Sequence, residues 1–529
     1  MSIARASLVM IAALIASRIL GWLRLSVIGA TFGETPQLDA FWAAFRIPNA
    51  LFELLVAGAL ASAFIPVFAG YLAKERENEA WHVASSVMNV LVVSLVVLSG
   101  LMWLAAPWIV PTLIVSPAFA AQPGQLDLTI ELTRIMLLSP IFMGLSSLVT
   151  GVLQSYRQFL AGAIAPLVYN GVQILFALFA SPFVGIHALA YGVVAGAAMM
   201  FLVQLPELTF RRTKYQLTFD LGHAGVREIF ALAGPRTLSL GAVQVVFFVD
   251  TYLASGMRPG SLTALNYAFQ LMLLPLGVFS IAISAAVFPT LSHYASLGQA
   301  AKMRDALQQA IRWILFLTLP TAILMVVLRR PIVNLLFQYG EFGPDARELV
   351  QAAFLFYALG LAGHAVVQIL ARAYYASRDT TTPVALTLIS IGANVVLSVT
   401  LAPVFGINGL ALANSIATLA EAALLLLLLA PRARLRLVGL GYVTLKQVTA
   451  ALFMGVAMFL FINVTNIPLN LAQDPPKPLL FVQTLLAAAF GVGIYLLAAW
   501  AIRIAELQEV ISVVRARFRA RPVTAAPGR

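Results

Sequence analysis

Long apolar runs alternate along this chain with short polar joints, and the runs are too long for the helices of a soluble core. A helix crosses the roughly 30 Å hydrocarbon layer of a bilayer in about 20 residues. On that scale fourteen spans can be read: 6–32, 38–72, 80–106, 126–153, 158–181, 185–210, 225–255, 261–294, 303–328, 346–375, 380–402, 407–430, 442–464 and 479–502. Composition points the same way, with 61% of the 529 residues hydrophobic and 10% charged, and a mean hydropathy of +0.93. These values lie far from those of globular chains. The expected fold is an all-α polytopic membrane protein. Arg5 ahead of the apolar run Leu8 to Ala16 looks like a secretory signal, but the run continues past Arg18 to Phe32, so a retained first helix is expected.

Charge adds orientation. A formal net charge of +12 would suggest a nucleic-acid partner in a soluble chain, but here the basic residues sit in joints between spans, and no nucleic-acid binding is expected. Lys74, Arg76, Arg157, Arg211, Arg212, Lys214, Lys302, Arg304, Arg378, Arg432, Arg434 and Arg436 all fall on one side of the span list. The positive-inside rule makes that side cytoplasmic and places both termini there, in a cell (inner or plasma) membrane; Arg258, Arg329, Arg330 and Lys477 are exceptions. The tail after Ala501, with Arg503, Arg515, Arg517, Arg519 and Arg521, reads as a solvated or headgroup-touching segment.

Several chemistries have no place in the sequence. Cysteine is absent, which excludes disulfides and thiolate metal sites, and the five histidines lack metal-ligand spacing. There is no Walker A motif, no sizeable soluble domain and no Ser/His/Asp arrangement, so neither catalytic residues nor a cofactor are expected and the chain does not read as an enzyme. Transport would have to draw on an ion gradient or the membrane potential.

The chain also echoes itself. Ala61-Ser62-Ala63-Phe64-Ile65-Pro66 followed by Tyr71 returns as Ser284-Ala285-Ala286-Val287-Phe288-Pro289 followed by Tyr294, an offset of 223. Pro182, Gly185, Ile186, Leu189 and Ala190 return as Pro403, Gly406, Ile407, Leu410 and Ala411, an offset of 221. Echoes at nearly one offset, in register with the spans, indicate duplication. The expected organisation is an N-terminal six-helix lobe over 1–215 and a second over 223–435, pseudo-symmetric around a central cavity. Two additional helices over 440–505 and a basic cytoplasmic tail over 506–529 complete it.

Charges inside the spans are the candidate chemistry, because an ionisable group at that depth costs roughly 2.5 to 3.5 kcal/mol on insertion scales and usually lines a polar path. Arg18 and Arg24 lie in the first span. Asp39, Arg46 and Glu53 recur every seven residues in the second, on one helix face interrupted by Pro48. The expectation is a charged cavity wall in which acids hold the arginines in place. Arg236 follows Gly234-Pro235, where a helix break is expected to turn backbone groups toward a cavity, and Asp250 ends the same span as a coupling-ion ligand or an interfacial cap. Arg134, Glu131, His364 and Glu421 are expected to serve interface or packing roles. Since a guanidinium grips phosphate through paired N–H donors and stays charged, the inferred substrate is an anionic, phosphorylated molecule.

Ser17-Arg18-Ile19-Leu20-Gly21 with Arg24, Asp39-Ala40-Phe41, Phe45-Arg46-Ile47-Pro48-Asn49, Gly151-Val152-Leu153-Gln154 with Pro166 and Asn170, Leu336-Phe337-Gln338-Tyr339-Gly340, and Tyr374 to Thr380 with Thr382-Pro383 together resemble the MurJ (MviN) family of lipid II flippases, within the multidrug/oligosaccharidyl-lipid/polysaccharide exporter superfamily. The resemblance runs across nearly the whole chain. It implies two six-helix lobes plus two helices that groove the polyprenyl tail, and lipid II carried to the outer leaflet by alternating access for peptidoglycan synthesis. It implies substrate contacts at Arg18, Arg24 and Asp39, coupling to sodium or membrane potential through Asp250 and Asp379, and membrane lipids and other cell-wall synthesis proteins as partners. The chain departs from the family at Phe52 followed by Glu53, at Gln270 and at Ala57, where members carry Arg, Arg and an acid. Arg236 and Arg46 are the residues expected to replace part of that charge. The departures keep open an alternative substrate, another polyprenyl-linked saccharide or a small amphiphile.

Overall fold

A computed structural model describes residues 3–57, 60–209, 214–464 and 476–519. In lipid every backbone N–H and C=O must find its partner within the protein, and the described residues answer with helices and no strand. In chain order these are α1 (Ile3–Phe32), α2 (Pro36–Phe52), α3 (Leu60–Ala73), α4 (Glu77–Ile109), α5 (Pro117–Ala120), α6 (Gln125–Met136) and α7 (Ser139–Ser155). There follow α8 (Leu160–Leu175), α9 (Ser181–Val184), α10 (His187–Leu202), α11 (Leu205–Thr209), α12 (Ala224–Ser255), α13 (Ser261–Ser296) and α14 (Ala300–Val327). The last seven are α15 (Arg329–Phe337), α16 (Pro344–Ala376), α17 (Thr381–Phe405), α18 (Ile407–Arg432), α19 (Leu437–Val464), α20 (Lys477–Ala501) and α21 (Ala505–Arg519).

Twelve of the described segments are long and apolar enough to cross a membrane, and the second and seventh spans of the sequence contribute the shorter apolar helices Ala63–Ala73 and Leu240–Ser255. Thr35 caps α2, its Oγ1 accepting from Leu38 N at 3.3 Å, and Pro36 fills the first turn where no donor is needed. Pro48 then cannot donate to the carbonyl of Ala44; Thr133 Oγ1, which donates to Thr129 O at 2.7 Å, lies 3.5 Å from that oxygen. Five residues later α2 gives way to a π-helical turn over Glu53–Ala57.

Three expectations change. Gly234-Pro235 does not break its helix; α12 runs through it, because a proline removes one hydrogen bond while the packed helix keeps the rest. The joint expected over Pro107–Gln125 is mostly structured: α4 reaches Ile109, a π turn covers Val110–Ile114 and α5 follows. The segment after Ala501 is more ordered than a plain tail as far as it is described: Arg503 and Arg515 are exposed, but Ile504 is buried, Glu506 and Leu507 of α21 are buried, and Ile511 packs against the α14–α19–α20 core.

The chain divides into two compact units. The first comprises Met1–Tyr267, Leu336–Val350 and Ile391–Leu410; the second comprises Ala268–Leu335, Gln351–Ser390 and Ala411–Arg529. The core of the first includes Phe64 and Phe68 of α3, Trp81, Val83 and Val87 of α4, Leu148 and Val152 of α7, and Val226 and Ile229 of α12. Three polar groups beside it are linked in sequence: Trp81 Nε1 donates to Tyr156 Oη at 3.0 Å, and Tyr156 Oη donates to Glu77 Oε1 at 2.8 Å. The second unit packs Phe316 of α14 with Met454 and Met458 of α19 and Ala487 and Tyr495 of α20, and Tyr495 Oη donates to Phe316 O at 2.9 Å. Phe453, Val456 and Leu460 of α19 and Phe481 and Leu485 of α20 point outward. Lipid tails are as apolar as these side chains, so dispersion and shape, not hydrophobic transfer, hold such helices together.

The duplication has a backbone counterpart. Glu75 and Gly298, Arg157 and Arg378, and Gly185 and Gly406 all take left-handed φ values between 58° and 65° at offsets of 221 to 223. The bonds repeat too: Arg76 N donates to Tyr71 O and Gln299 N to Tyr294 O, both at 3.0 Å, while Gln158 N donates to Leu153 O and Asp379 N to Tyr374 O. Each is a helix end closed by a left-handed residue and a six-to-one bond.

Candidate functional site

The site residues of the first unit fall into two groups: Arg18 and Arg24 on α1, with Arg24 against α8 and Tyr267 of α13, and Asp39, Arg46 and Asp250 where α2, α12, α13 and α17 meet. Arg18 lies on an exposed face of α1 beside Ile15 and Ile19. Arg24, further along α1, is half-buried. Its Nη1 donates to Gln173 Oε1 of α8 at 3.5 Å, the outer limit of a hydrogen bond. Tyr169 of α8 and Tyr267 of α13 lie within electrostatic reach, and no acid is paired with it within 4 Å among the described ion pairs. Its Nε is shielded from solvent with no hydrogen-bond partner. A guanidinium in this state holds donors in reserve for an acceptor the protein does not supply.

Asp39 behaves differently. It is buried, and its carboxylate reaches the start of α13: Oδ2 accepts from Gly260 N at 2.7 Å, and Oδ1 accepts from Thr263 N at 2.8 Å and Thr263 Oγ1 at 2.6 Å. The first turn of a helix has unpaired N–H groups and a positive end, so a carboxylate from α2 caps α13 across the fold. The expectation that acids hold the arginines in place fails for Asp39, because backbone donors occupy both its oxygens.

Arg46, two turns on, is tied by neutral groups. Its Nε donates to Thr251 Oγ1 at 2.7 Å, its Nη2 donates to Asn266 Oδ1 at 2.8 Å, and its guanidinium lies 5.3 Å from the centre of the Phe247 ring. Asn266 is held in that orientation by its own donation to Leu262 O at 2.8 Å. Asp250, the residue before Thr251, is buried and lies in the field of Arg46. Ser398 Oγ of α17 sits 3.3 Å from Asp250 Oδ1 and 3.3 Å from Asn394 Oδ1. A hydroxyl has one proton, so three oxygens meet there around a single donor. Glu53 is half-buried at the head of the π turn.

One tie was visible in the sequence only as a motif. Leu336 to Gly340 folds back on the end of α1: Ser26 Oγ donates to Leu336 O, and Glu341 N donates to Ala30 O at 2.9 Å. Gly340 has φ +53°, and a Cβ there would lie 2.2 Å from Ala30 O, so only glycine fits. Phe337 and Phe342 enclose the Tyr267 ring, whose hydroxyl donates to Leu25 O at 3.0 Å. The motif positions α1, and with it Arg24.

The remaining expected residues lie elsewhere. The side chain of Arg236 is outside the described residues, as are the structures of Arg211 and Arg212. Asp379, in the second unit, caps the first turn of α17: Oδ1 accepts from Thr382 N at 2.9 Å, and Oδ2 accepts from Thr382 Oγ1 at 2.7 Å and Arg432 Nη1 at 2.8 Å. These bonds, the Thr382 N–H foremost, hold its carboxyl below the usual carboxylate range. His364 sits 3.0 Å from Asn414 Oδ1, Thr387 Oγ1 donates to Glu421 at 2.6 Å, and Glu131 pairs with His187 at 3.3 Å. Gln270 is exposed on α13. Sequence reasoning that followed charges missed Thr251, Thr263, Asn266, Asn394 and Ser398. Their signal is hydroxyls and amides three or four residues apart inside apolar helices.

With this geometry in hand, the comparisons with known proteins agree with one another. The model of the family described as "Lipid II flippase MurJ" matches residues 28–472. A "Probable lipid II flippase MurJ" of Rhizobium meliloti (strain 1021) is 31% identical over 512 residues, 94% of each chain. The "Lipid II flippase MurJ" of Burkholderia cenocepacia is 30% identical over 440 residues, 81% of this chain and 84% of that one. A solved structure of "Lipid II flippase MurJ, inward closed conformation" aligns with a TM-score of 0.76 at 22% identity, covering 94% of this chain and 98% of its own. An inward-facing multidrug resistance MATE family transporter of the MOP superfamily aligns with a TM-score of 0.64 at 16% identity, over 82% and 99%. Both structures bear on the fold. With a family model that spans most of its length and relatives matched almost end to end, the chain belongs to the lipid II flippase MurJ family.

Proposed function

We propose that this multi-pass membrane protein moves lipid II, the undecaprenyl-pyrophosphate-linked precursor of peptidoglycan, from the cytoplasmic to the outer leaflet by alternating access, without catalysing a reaction. Family membership supports the substrate. The observation that carries the site is Arg24, a cation on a membrane helix whose protein partners leave donors unused. Pyrophosphate offers the acceptors that fit, and Arg18, on the exposed face of the same helix, supplies a second guanidinium for capture. Arg236 remains part of the proposal as a further cation, to be tested by Arg236→Ala.

The ties of Asp39 and Arg46 have a different part. Each charge-assisted bond contributes on the order of 1.5–3 kcal/mol, so five of them hold α2 firmly against the α12–α13 joint. A state change that separates these helices needs differential binding energy of similar size. Substrate on Arg24 supplies part of it, and a monovalent cation at the oxygens of Asp250, Asn394 and Ser398 supplies part by replacing the donor they lack. Hard oxygen ligands suit such an ion. Asp379, saturated by its cap and by Arg432, is the weaker coupling candidate.

The arginine-rich joints support a cytoplasmic position for both termini, with the protein in the inner membrane. The proposed organisation keeps six-helix lobes over 1–215 and 223–435, with α19 and α20 as an addition that receives the polyprenyl tail.

The test is replacement of the resident lipid II flippase by this protein in a depletion strain, read as lipid II accessible at the outer leaflet. The account expects normal exposure of lipid II. Growth without exposed lipid II, or accumulation of a different lipid-linked saccharide, would move the assignment to another polyprenyl-linked substrate.

A further inference from the structure

The second unit contains an apolar slot of about 680 Å³ lined by α19 but by no residue of α20, and so distinct from the α19–α20 face assigned to the polyprenyl tail. It is bounded by Ile311 and Leu315 of α14, Val366 of α16, Leu426 of α18, and Leu440 and Val448 of α19; Thr444 is the one polar side chain on its walls. Its rim, at Leu419, Leu427 and Leu445, is exposed and continuous with the lipid-facing surface of the unit. Two features identify what fills it.

The first is depth. Along α19 the wall runs from Leu437 to Val448, twelve residues or about 16 Å of helix, which is about half of the roughly 30 Å hydrocarbon layer. The slot therefore spans the acyl region of one leaflet. The second is charge at one end. The slot begins directly after the α18–α19 joint, where Arg434 and Arg436 are exposed. Arg436 shares the field of Asp305 with Arg304 and Arg312, and Arg312 Nε is buried without a hydrogen-bond partner. Four arginines against Asp305 and Glu509, whose Oε2 accepts from Gln309 Nε2 of α14 at 3.4 Å, still leave a net positive mouth at headgroup level, opening on an apolar slot about half the hydrocarbon layer deep.

We propose that this slot is a binding site for an anionic phospholipid of the arginine-side leaflet, with an acyl chain between α14, α16, α18 and α19 and its phosphodiester at Arg434, Arg436 and Arg312. The bound lipid fills space that would otherwise leave α14 and α18 unsupported, and it sets a preference for anionic membranes.

The experiment uses the full-length protein in nanodiscs of phosphatidylcholine with one fifth phosphatidylglycerol, followed by release into detergent and native mass spectrometry of retained lipid. The expected result is one retained phosphatidylglycerol, favoured over phosphatidylcholine by a factor on the order of ten. Arg434→Gln with Arg436→Gln should abolish the preference while leaving lipid II transport unchanged. Gly441→Phe places a ring in the slot from a position where a Cβ meets open space, and should abolish retention of that lipid; its melting curve verifies folding. Equal retention of both lipids by the unaltered protein, or an unchanged preference in the double variant, would overturn the proposal. Displacement of the retained lipid by equimolar undecaprenyl phosphate would also overturn it, because the slot would then belong to the substrate's tail.

Discussion

Asp39 and Asp379 make nearly the same bonds in two settings. Each carboxylate accepts from a threonine N–H and the hydroxyl of the same threonine at the start of a helix. Asp379 sits three residues before its threonine and shares an oxygen with Arg432, at a site where its side chain keeps a quarter of its exposure. Asp39 is buried, has no arginine among its hydrogen-bond partners, and reaches a helix that begins more than two hundred residues later. A local cap sharpens the end of one helix and is replaceable by water. A cap delivered across the fold joins two helices, and its loss leaves buried donors bare.

Removing Asp39 should give the largest effect. Asp39→Ala strands Gly260 N, Thr263 N and Thr263 Oγ1, a loss of about 3–5 kcal/mol, read as a strongly lowered melting temperature and transport below detection. Asp39→Asn keeps one acceptor and should recover part of the stability. Arg46→Ala should come next, at about 2–3 kcal/mol, since Thr251 and Asn266 lose a charged donor but retain their bonds to Phe247 O and Leu262 O. Asp250→Asn should alter stability little and abolish dependence of transport on monovalent cations, measured by exchanging sodium for choline. Asp379→Asn should be smallest, about 1 kcal/mol, with transport within about twofold of normal. If Asp379→Asn matched Asp39→Ala, the distinction between local and long-range caps would fail.

The same pair differs in acid. The folded Asp379 carboxyl is depressed below its unfolded value of about 3.9. Its contribution is therefore complete above about pH 5 and is lost as pH falls through the folded value. Thermal melts of the unaltered protein and of Asp379→Asn should run parallel near neutrality and converge toward pH 3.

Much of the fold was legible because bilayer thickness dictates span length and apolar composition follows. The repeat was legible as well, through Pro66 with Pro289 and Gly185 with Gly406. The unread parts have physical causes. Gly234-Pro235 looks like a break in one dimension, yet α12 runs through it, since one lost hydrogen bond does not end a long helix. Arg24, Asp39 and Arg46 stood out as charges at depth, but the groups that bind them include amides, hydroxyls and backbone N–H donors such as Gln173, Thr263 and Asn266, whose spacing inside apolar helices is a far weaker signal than a charge. The Leu336 to Gly340 motif resembled a family signature without revealing its role, which depends on Ala30 lying against Gly340.

The central claim is that the unused donors of Arg24 grip pyrophosphate. Its most direct test is lipid II binding to purified Arg24→Ala beside the unaltered protein, with melting curves for both. The account predicts that affinity falls by at least about tenfold, that Arg24→Lys restores only part of it, and that the melting temperature is unchanged. Unaltered affinity in a folded Arg24→Ala protein would contradict it.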